Sequence, residues 1–538
     1  MRGSNSILLT AVVLVALALV SKGQAAYCQE PNERVVEMRA DRVVIYPQRM
    51  QLDDEATLMD VLMMYPDLMQ EGFEELVQQY NVRLNNTTVN LDPRIFLNQL
   101  KAKYISRIQI CDNSGVAKGT SGLNRVIDVN LLNFEKGFHG QSGLQLGSDL
   151  RAVHNVETRL ESDYTDLYAT ASYAYRRISD KDSHRQHLSA HMINSFSPHD
   201  KLQSYLTQMY ADGTQKYSAR ATYNHIFNDK GTDLMFLAGC QYSNMPKIRV
   251  TDDFEYLTTR GEDFYIGVIE LNTPICKGLD MMLGWEGDFD ISRLKLPEGK
   301  RQNYTLFNND IYLQFNYVYG LWKFTVGDRL MFYRYGVGND SHNDIRNNVE
   351  VSAIANMGRH SQFQVAYHRK FSNPAFSFDD EISEEEWIVG KESLRASYIN
   401  EIKLAYNYSR PNFTYCLGSY FLGMQNSDNI WKLCTSLFWK WRFISLTAGI
   451  NFYDILGPQS DFATFHLAPR LSLPLNFQLG AQAVFAAGGK RLAHDERVYM
   501  ALQIHKQFGS HFNISLDWHD IFGGRQWSAC LLSAQYRF

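Results

Sequence analysis

The stretch ISLTAGINF at residues 444–452 alternates between apolar side chains and polar or small ones along its whole length. Isoleucine, leucine, alanine or phenylalanine stands at every even position from Ile444 to Phe452, and serine, threonine, glycine or asparagine stands between them. Successive side chains of a β-strand point to opposite sides of the sheet. The stretch therefore predicts a strand with one apolar and one polar face.

The same alternation recurs across residues 136–538 and is clear at 477–485, 498–505 and 512–519. It divides this part of the chain into about twenty-two strands, many of them longer than the five or six residues usual in soluble sheets. A soluble β-sandwich alternates in the same way, because it hides its apolar face in a shared core. Alternation by itself leaves the choice between a sandwich and a membrane barrel open.

Connection lengths favour the barrel. Short connections are predicted at residues 164–166, 197–200, 409–412, 473–476 and 508–511, and longer ones at 243–261, 292–302, 336–347, 371–391 and 486–494. Tight turns on one side and longer loops on the other are typical of bacterial outer-membrane barrels, whose strands carry apolar side chains toward lipid. We therefore predict an all-β transmembrane barrel of about 22 antiparallel strands, with its short turns in the periplasm of a Gram-negative cell.

The first residues have the pattern of an export signal. Arg2 precedes an apolar run over residues 7–20, and small residues follow at 23–26. This predicts a cleaved signal peptide over residues 1–26, because the run is too short for a membrane-spanning helix. The formal net charge of −5 gives no reason to expect nucleic acid as a partner. The seven cysteines are odd in number and widely scattered, which argues against a disulfide framework and leaves any pairing open.

Residues 27–135 differ from the rest and predict a small α+β domain. A strand at 42–46 precedes a helix at 57–65 that ends before Pro66. A short strand at 82–84, a helix at 94–100, a strand at 105–111 and a strand at 126–131 follow. We expect this domain to sit in the lumen, because a barrel of about 22 strands is otherwise an open channel.

The order of these elements resembles the plug of TonB-dependent outer-membrane receptors, particularly the Bacteroidota type. The matching segments are TLMDVLMMYPDL (57–68), DPRIFLNQL (92–100), RIQICDNSGVAKGTSGL (107–123) and RVIDV (125–129). The sequence departs from that pattern at Asn85-Asn86 and at Asn124-Arg125, where the family usually has glycine. The resemblance implies a receptor that imports a ligand through a 22-stranded barrel when TonB pulls on the plug.

In such receptors TonB pairs with a short extended segment near the N-terminus by strand addition. The segment of this chain in the right region is Arg34, Val35, Val36, Glu37 and Met38. The alternative is that this segment is simply the lead-in to the first plug strand. A surface lipoprotein that covers the barrel mouth is a common partner in the families that this chain resembles.

The longest predicted loop carries the candidate contact with an extracellular ligand, an acidic and aromatic lip. Its residues are Phe376, Phe378, Asp379, Asp380, Glu384, Glu385, Glu386 and Trp387. A solvated acidic loop without a ligand is the competing interpretation. At the other end of the sequence, Tyr536 and Phe538 share a strand face and resemble the terminal signal that the barrel-assembly machinery recognises.

The sequence predicts no catalytic residue, cofactor or metal site. The pairs His494-Asp495 and His519-Asp520 do not form dyads, because adjacent residues of a strand face opposite ways. Methionines crowd the N-terminal domain, and thioethers suit Cu(I), but the spacing of Met59 and Met63 fits a helix core equally well. Two functions remain: a TonB-driven receptor and transporter, or a plugged barrel that serves as an interaction or assembly component of an outer-membrane complex.

Overall fold

The fold is taken from a computed structural model of the chain. The structure describes residues 34–39, 42–52, 56–62, 80–84, 87–88, 100, 102–111, 125–131, 137–147, 151–161, 165–178, 181–211, 213–227, 231–250, 255–295, 301–337, 340–372, 397–424, 429–456, 462–488, 498–509, 511–519, 521 and 529–537.

Six strands form a sheet of their own in the N-terminal part. They are β1 (Val36–Met38), β2 (Val43–Ile45), β3 (Tyr80–Leu84), β4 (Thr87–Thr88), β5 (Ile105–Cys111) and β6 (Arg125–Leu131), in the spatial order β1-β2-β5-β6-β3-β4. The pair β3 and β6 is parallel, and the other pairs are antiparallel. The helix α1 (Leu58–Leu62) and the 3-10 turns Pro47–Arg49 and Ala102–Tyr104 complete this domain, which we call the plug.

The apolar stripe of α1 closes the plug core. Leu58, Val61 and Leu62 are fully buried, and they belong to the same cluster as Ile108 of β5 and Ile127 of β6. The predicted strand 105–111 is confirmed at both ends, and the described part of α1 falls inside the predicted helix 57–65. The helix predicted at 94–100 lies outside the described residues except for Leu100.

The described residues form twenty-two further strands that close into one barrel, as predicted. Each strand pairs antiparallel with its neighbours in the sequence, and the last strand pairs with the first. The strands are β7 (Gly137–Gly147), β8 (Arg151–Glu161), β9 (Thr165–Ile178), β10 (Lys181–Ser195), β11 (Asp200–Ala211), β12 (Thr214–Ile226), β13 (Asp233–Val250), β14 (Glu255–Cys276), β15 (Leu279–Lys295), β16 (Arg301–Tyr319), β17 (Trp322–Val337), β18 (Asp340–Met357), β19 (Ser361–Ser372), β20 (Ser397–Arg410), β21 (Phe413–Met424), β22 (Asn429–Trp441), β23 (Ile444–Leu456), β24 (Phe462–Leu473), β25 (Phe477–Gly488), β26 (Val498–Phe508), β27 (Phe512–His519) and β28 (Ala529–Arg537).

The barrel has its apolar side chains outside and its polar side chains inside. On β20, Leu404 is 44% exposed, whereas Asn407 is 1% exposed. On β23, Ile450 points outward, and Asn451 is buried in the lumen. This is the arrangement of a membrane barrel rather than of a β-sandwich, because lipid covers the outer face. No helix in the described part of the chain is long and apolar enough to cross a membrane.

Two of the predicted loops are wrong. The strands β13 and β14 stay paired from Asp233↔Asn272 up to Val250↔Glu255, so most of the predicted loop 243–261 is a hairpin. The strands β17 and β18 likewise pair up to Val337↔Asp340, inside the predicted loop 336–347. Outside the bilayer no lipid imposes apolar alternation, so these strand extensions look like loops in the sequence.

Candidate functional site

The first strand of the plug lies against the barrel wall near its short turns. Its inner edge pairs with β2, and its outer edge is bound by side chains of β19 and β20 instead of another strand. The amide of Val36 donates to Ser409 Oγ (3.3 Å), and the amide of Met38 donates to Gln362 Oε1 (2.7 Å). The carbonyl of Val36 accepts from Asn407 Nδ2 (2.9 Å). The barrel thus satisfies, with side chains, the backbone groups that an edge strand leaves unpaired.

Arg34 fixes the start of this strand to the turn between β18 and β19. Its guanidinium donates to the carbonyls of Gly358 (2.8 Å) and Arg359 (3.1 Å) and to Asn356 Oδ1 (2.5 Å). Arg34 is buried in this position, so its charge is held among carbonyl dipoles. Three hydrogen bonds from this one side chain therefore tie the start of the plug to the barrel.

Glu37 carries the only carboxylate of β1 and faces three donors. Lys323 Nζ of β17 lies 3.2 Å from Oε1, Arg39 Nε lies 3.5 Å from the same atom, and Tyr46 donates to Oε2 at 3.2 Å. Burial by itself would raise the pKa of Glu37, but Arg39 and Lys323, with the hydrogen bonds from Lys323 and Tyr46, outweigh it. The pKa of Glu37 is therefore below its ordinary value, and the group is ionised at neutral pH.

A second anchor joins α1 to β24. Asp60 accepts from Arg470 with both oxygens, Nη1 to Oδ2 at 2.6 Å and Nη2 to Oδ1 at hydrogen-bond distance. Thr57 N and Oγ1 also donate to Oδ2 (2.7 and 2.9 Å), while Thr57 Oγ1 accepts from the amide of Asp60 (3.3 Å). Burial would raise the pKa of Asp60, but the charge and hydrogen bond of Arg470 and the bonds from Thr57 lower it below the ordinary value.

Beside this ion pair, plug and barrel leave a cavity of about 60 Å³. Met59 and Asp60 line it from the plug, and small or polar barrel residues such as Thr447, Gly480 and Gln503 line it from the other side. The volume is enough for a few water molecules. The contact around Asp60 is therefore a loosely packed seam held by one bidentate ion pair.

Phe438 of β22 is the barrel residue of the plug core. Its side chain is 2% exposed and belongs to the buried cluster of the plug. The other lumen-facing positions near it are polar or small, as in Ser436 and Lys440 of the same strand. One aromatic ring of the barrel wall thus packs into the apolar core of the plug.

The sequence-predicted site residues fall in three places. Arg34, Val35, Val36, Glu37 and Met38 come together in and beside β1, all of them buried, and their contact with TonB stays a prediction. Residues 376–387, the predicted ligand lip, lie outside the described residues. Tyr536 faces outward on β28, the strand that closes the barrel, and Phe538 lies outside the described residues.

Sequence reasoning missed Asp60, Arg470 and Phe438. A signal existed for one of them, because Thr57-x-x-Asp60 ahead of an apolar run is a helix-capping pattern that marks Asp60 as a fixed carboxylate. No local pattern pairs it with Arg470, which lies 410 positions later. Of the methionines that crowd this domain, Met38, Met50 and Met59 are buried within the plug, which fits core packing, and Met63 lies outside the described residues.

Comparison with known proteins identifies the fold. No protein-family model matches the sequence, and no curated protein matches it. Among solved structures, the copper transporter OprC has a TM-score of 0.72 at 9% identity, covering 94% of this chain and 99% of that chain. The siderophore receptor PirA from Pseudomonas aeruginosa has a TM-score of 0.65 at 12% identity, covering 93% of this chain and 100% of that chain. The FrpB iron transporter from Neisseria meningitidis has a TM-score of 0.67 at 9% identity, covering 93% of this chain and 100% of that chain.

These structural neighbours are TonB-dependent outer-membrane receptors, which agrees with the resemblance read from the plug motifs. Identities this low establish a shared fold, a plugged barrel of about 22 strands. The Bacteroidota subtype stays a prediction.

Proposed function

We propose that this chain, which has the fold of the TonB-dependent receptors, is an outer-membrane receptor that imports a ligand through its plugged barrel with TonB supplying the pull. The observation that carries the proposal is the outer edge of β1. Its backbone groups are bound by side chains of the barrel, so a partner strand can replace them one bond at a time.

Strand exchange at this edge has a small energetic cost. A strand added beside β1 would take over the amides of Val36 and Met38 and the carbonyl of Val36. Each bond lost to Ser409, Gln362 or Asn407 is then replaced by a backbone bond, and the net contribution of one hydrogen bond is only about 1 kcal/mol. Strand addition to a sheet edge is also an established mode of peptide recognition.

The test removes one backbone donor. Val36→Pro deletes the amide that points to the barrel but leaves the bonds of the neighbouring residues with β2. The purified full-length variant should bind the periplasmic domain of TonB at least about tenfold more weakly, because one backbone bond and the strand geometry are lost. Val36→Ala is the matched control, since it keeps the amide, and should bind within about twofold of the parent chain.

A second variant separates TonB binding from plug anchoring. Replacing Gln362 and Asn407 together by alanine loosens β1 from the wall but leaves its backbone intact, so TonB binding should be equal or tighter. If Val36→Pro binds TonB as the parent chain does, β1 is not the contact and this proposal fails. If the double alanine variant binds more weakly than the parent chain, the exposed edge is not what TonB recognises.

The second candidate is a plugged barrel that serves as an interaction or assembly component without energised import. The burial of all of residues 34–38 favours it, because a sealed β1 has no free edge for TonB. The same experiment separates the two. Absence of TonB binding in the parent chain and in the Gln362 and Asn407 double alanine variant alike would favour the second candidate.

The proposal extends to the export of the chain, the bounds of its domains, its orientation in the membrane and its partners. We place the barrel in the outer membrane after cleavage of a signal peptide at residues 1–26, with the plug at 27–135 and the barrel at 136–538. The short turns then lie in the periplasm, the aromatic and acidic lip of residues 376–387 lies outside, and a surface lipoprotein is a candidate partner there. Tyr536 and Phe538 are the proposed signal for the barrel-assembly machinery.

A further inference from the structure

The outer wall of the barrel carries a shallow groove across strands β8 to β12. It has two adjoining parts of about 510 and 360 Å³. Both parts are lined by Val156, Ala171, Leu188 and Gln208, so they form one continuous depression. The two leucine side chains that border it, Leu188 and Leu206, are 52% and 59% exposed and stand out from the wall. Lipid must cover this face in the membrane.

The strand register gives the groove a polar end and an apolar end. One row of directly paired residues runs His154–Tyr173–Gln186–Tyr210 across β8 to β11. It lies toward the end of the barrel with the longer connections, which we assign to the cell exterior.

A second row of directly paired residues lies four positions farther along each strand, toward the short turns. It consists of Thr158, Ala169, Ala190 and Leu206. Strands rise about 3.3 Å per residue, so the two rows are about 13 Å apart. The small side chains of the lower row, Thr158, Ala169 and Ala190, make the floor of the groove. The upper row makes its polar rim, and Gln208 lies two positions below that row, opposite Leu188.

Two of the polar side chains have unmet hydrogen-bonding capacity. The amides of Gln186 and Gln208 are exposed on the lipid side, and neither has a hydrogen-bond partner within the described part of the chain. His154 and Tyr173, in contrast, are bonded to Ser142 (3.2 Å) and to His184 (2.8 Å). A primary amide placed next to lipid without a partner is costly. A ligand that supplies hydroxyl or amide groups at this depth would remove that cost.

We propose that the groove holds one sugar-headed lipid of the outer leaflet, with an acyl chain over Ala169 and Ala190 and its headgroup hydroxyls on Gln186 and Gln208. The described lining contains no lysine, arginine, aspartate or glutamate, so the groove would bind the uncharged hydroxyl and amide groups of the headgroup and not its phosphates. Tyrosine rings beside amides suit a sugar, because the ring packs on its apolar face and the amides bond its hydroxyls. The site is independent of TonB and of the ligand path through the lumen.

The test places a large side chain on the floor of the groove and measures the retention of lipid. Full-length protein is delipidated in detergent, incubated with micelles that contain lipid A or phosphatidylethanolamine, and examined by native mass spectrometry. The parent chain should retain one lipid A, and Ala190→Phe should lower that retention about tenfold or more. Ala448→Phe on β23 is the matched control, because Ala448 also faces lipid but lies outside the groove, and it should retain lipid A like the parent chain.

A second variant addresses the headgroup. Replacing Gln186 and Gln208 together by leucine keeps the groove apolar and removes the amides, so it should lower retention of lipid A but not of phosphatidylethanolamine. Folding of every variant is checked by the heat-dependent gel mobility of an intact barrel. The proposal is overturned if the parent chain retains both lipids equally or neither. It is also overturned if Ala190→Phe and Ala448→Phe behave alike, or if Ala190→Phe converts a dimer into a monomer, which would assign the groove to a second copy.

Discussion

The ion pair between Asp60 and Arg470 should be a measurable part of what keeps the plug in the barrel. Its side chains are 21% and 17% exposed, so it is neither a surface pair nor a fully buried one. Exposed pairs contribute about 0.2–1 kcal/mol, and breaking a buried pair costs about 3–5 kcal/mol. The bidentate geometry and the partial burial place this pair at about 2 kcal/mol.

A double-mutant cycle isolates that value. The variants are Asp60→Asn, Arg470→Gln and the combination, each in the full chain and in detergent. Release of the plug is monitored during a urea titration as cleavage of the plug by a protease, because the paired strands of the barrel resist cleavage. For a domain of this size the free energy of plug release falls by about 2 kcal/mol per M urea. Losing about 2 kcal/mol of that free energy therefore lowers the midpoint of the titration by about 1 M urea.

The control is an ion pair of the barrel alone. Arg293 lies against Asp263 on neighbouring strands with its side chain 50% exposed, so Arg293→Gln should leave plug release unchanged. A coupling energy below about 0.5 kcal/mol in the cycle would refute the reasoning, because that is the value of a solvent-screened pair. An equal midpoint shift in Arg293→Gln would refute it as well, since the effect would then not come from the plug contact.

Three further predictions follow from single contacts. The pKa of Asp60 is lowered in the folded protein. The contribution of Asp60 to the free energy of plug release should therefore be fully present above about pH 4, the ordinary aspartate value, and should disappear as the pH falls through the lower folded value. The same urea titration, repeated between neutral and acidic pH, measures this. Phe438→Ala removes the barrel ring from the plug core and should destabilise the plug by about 3 kcal/mol, whereas the lipid-facing Phe465→Ala should leave protease release of the plug unchanged. A Cβ at Gly278 would lie 2.7 Å from the carbonyl oxygen of Val318. Gly278→Ala should therefore slow barrel assembly, measured by heat-dependent gel mobility, more than Gly320→Ala, because Gly320 also has a positive φ but faces open space.

Much of the barrel was predictable because lipid imposes one rule on every strand. The alternation from Ile444 to Phe452 fixes which side chains face lipid, and the structure confirms it with Ile450 outside and Asn451 inside. The rule applies only within the bilayer. Residues 255–262 of β14 form strand without it, because pairing with β13 supplies their hydrogen bonds and no lipid selects their side chains.

The plug contacts were less predictable for a different reason. Phe438 and Arg470 sit at lumen-facing positions that the alternation identifies, but the pattern does not say which plug residue each meets. That depends on how a separate domain is seated in a wide lumen, over separations of several hundred residues. The sequence did indicate that residues 34–38 are extended. It left open whether they contact TonB or simply lead into the first plug strand, and in the structure Val36–Met38 is itself the first plug strand.

The two anchors differ in how they would yield to a pull from the N-terminal side. A force applied ahead of Arg34 first meets the three bonds of Arg34 to the turn between β18 and β19 and then reaches β1. Besides the ion pair of Glu37 with Lys323, β1 is held by bonds to Ser409, Gln362 and Asn407, which are neutral and lie in series along the strand. They can break one after another, each at about 1 kcal/mol. The two bonds between Asp60 and Arg470 share one guanidinium and must break together. We therefore expect β1 to peel from the wall while α1 still holds the rest of the plug on β24, so the wall beside β19 and β20 is freed before the plug leaves the lumen.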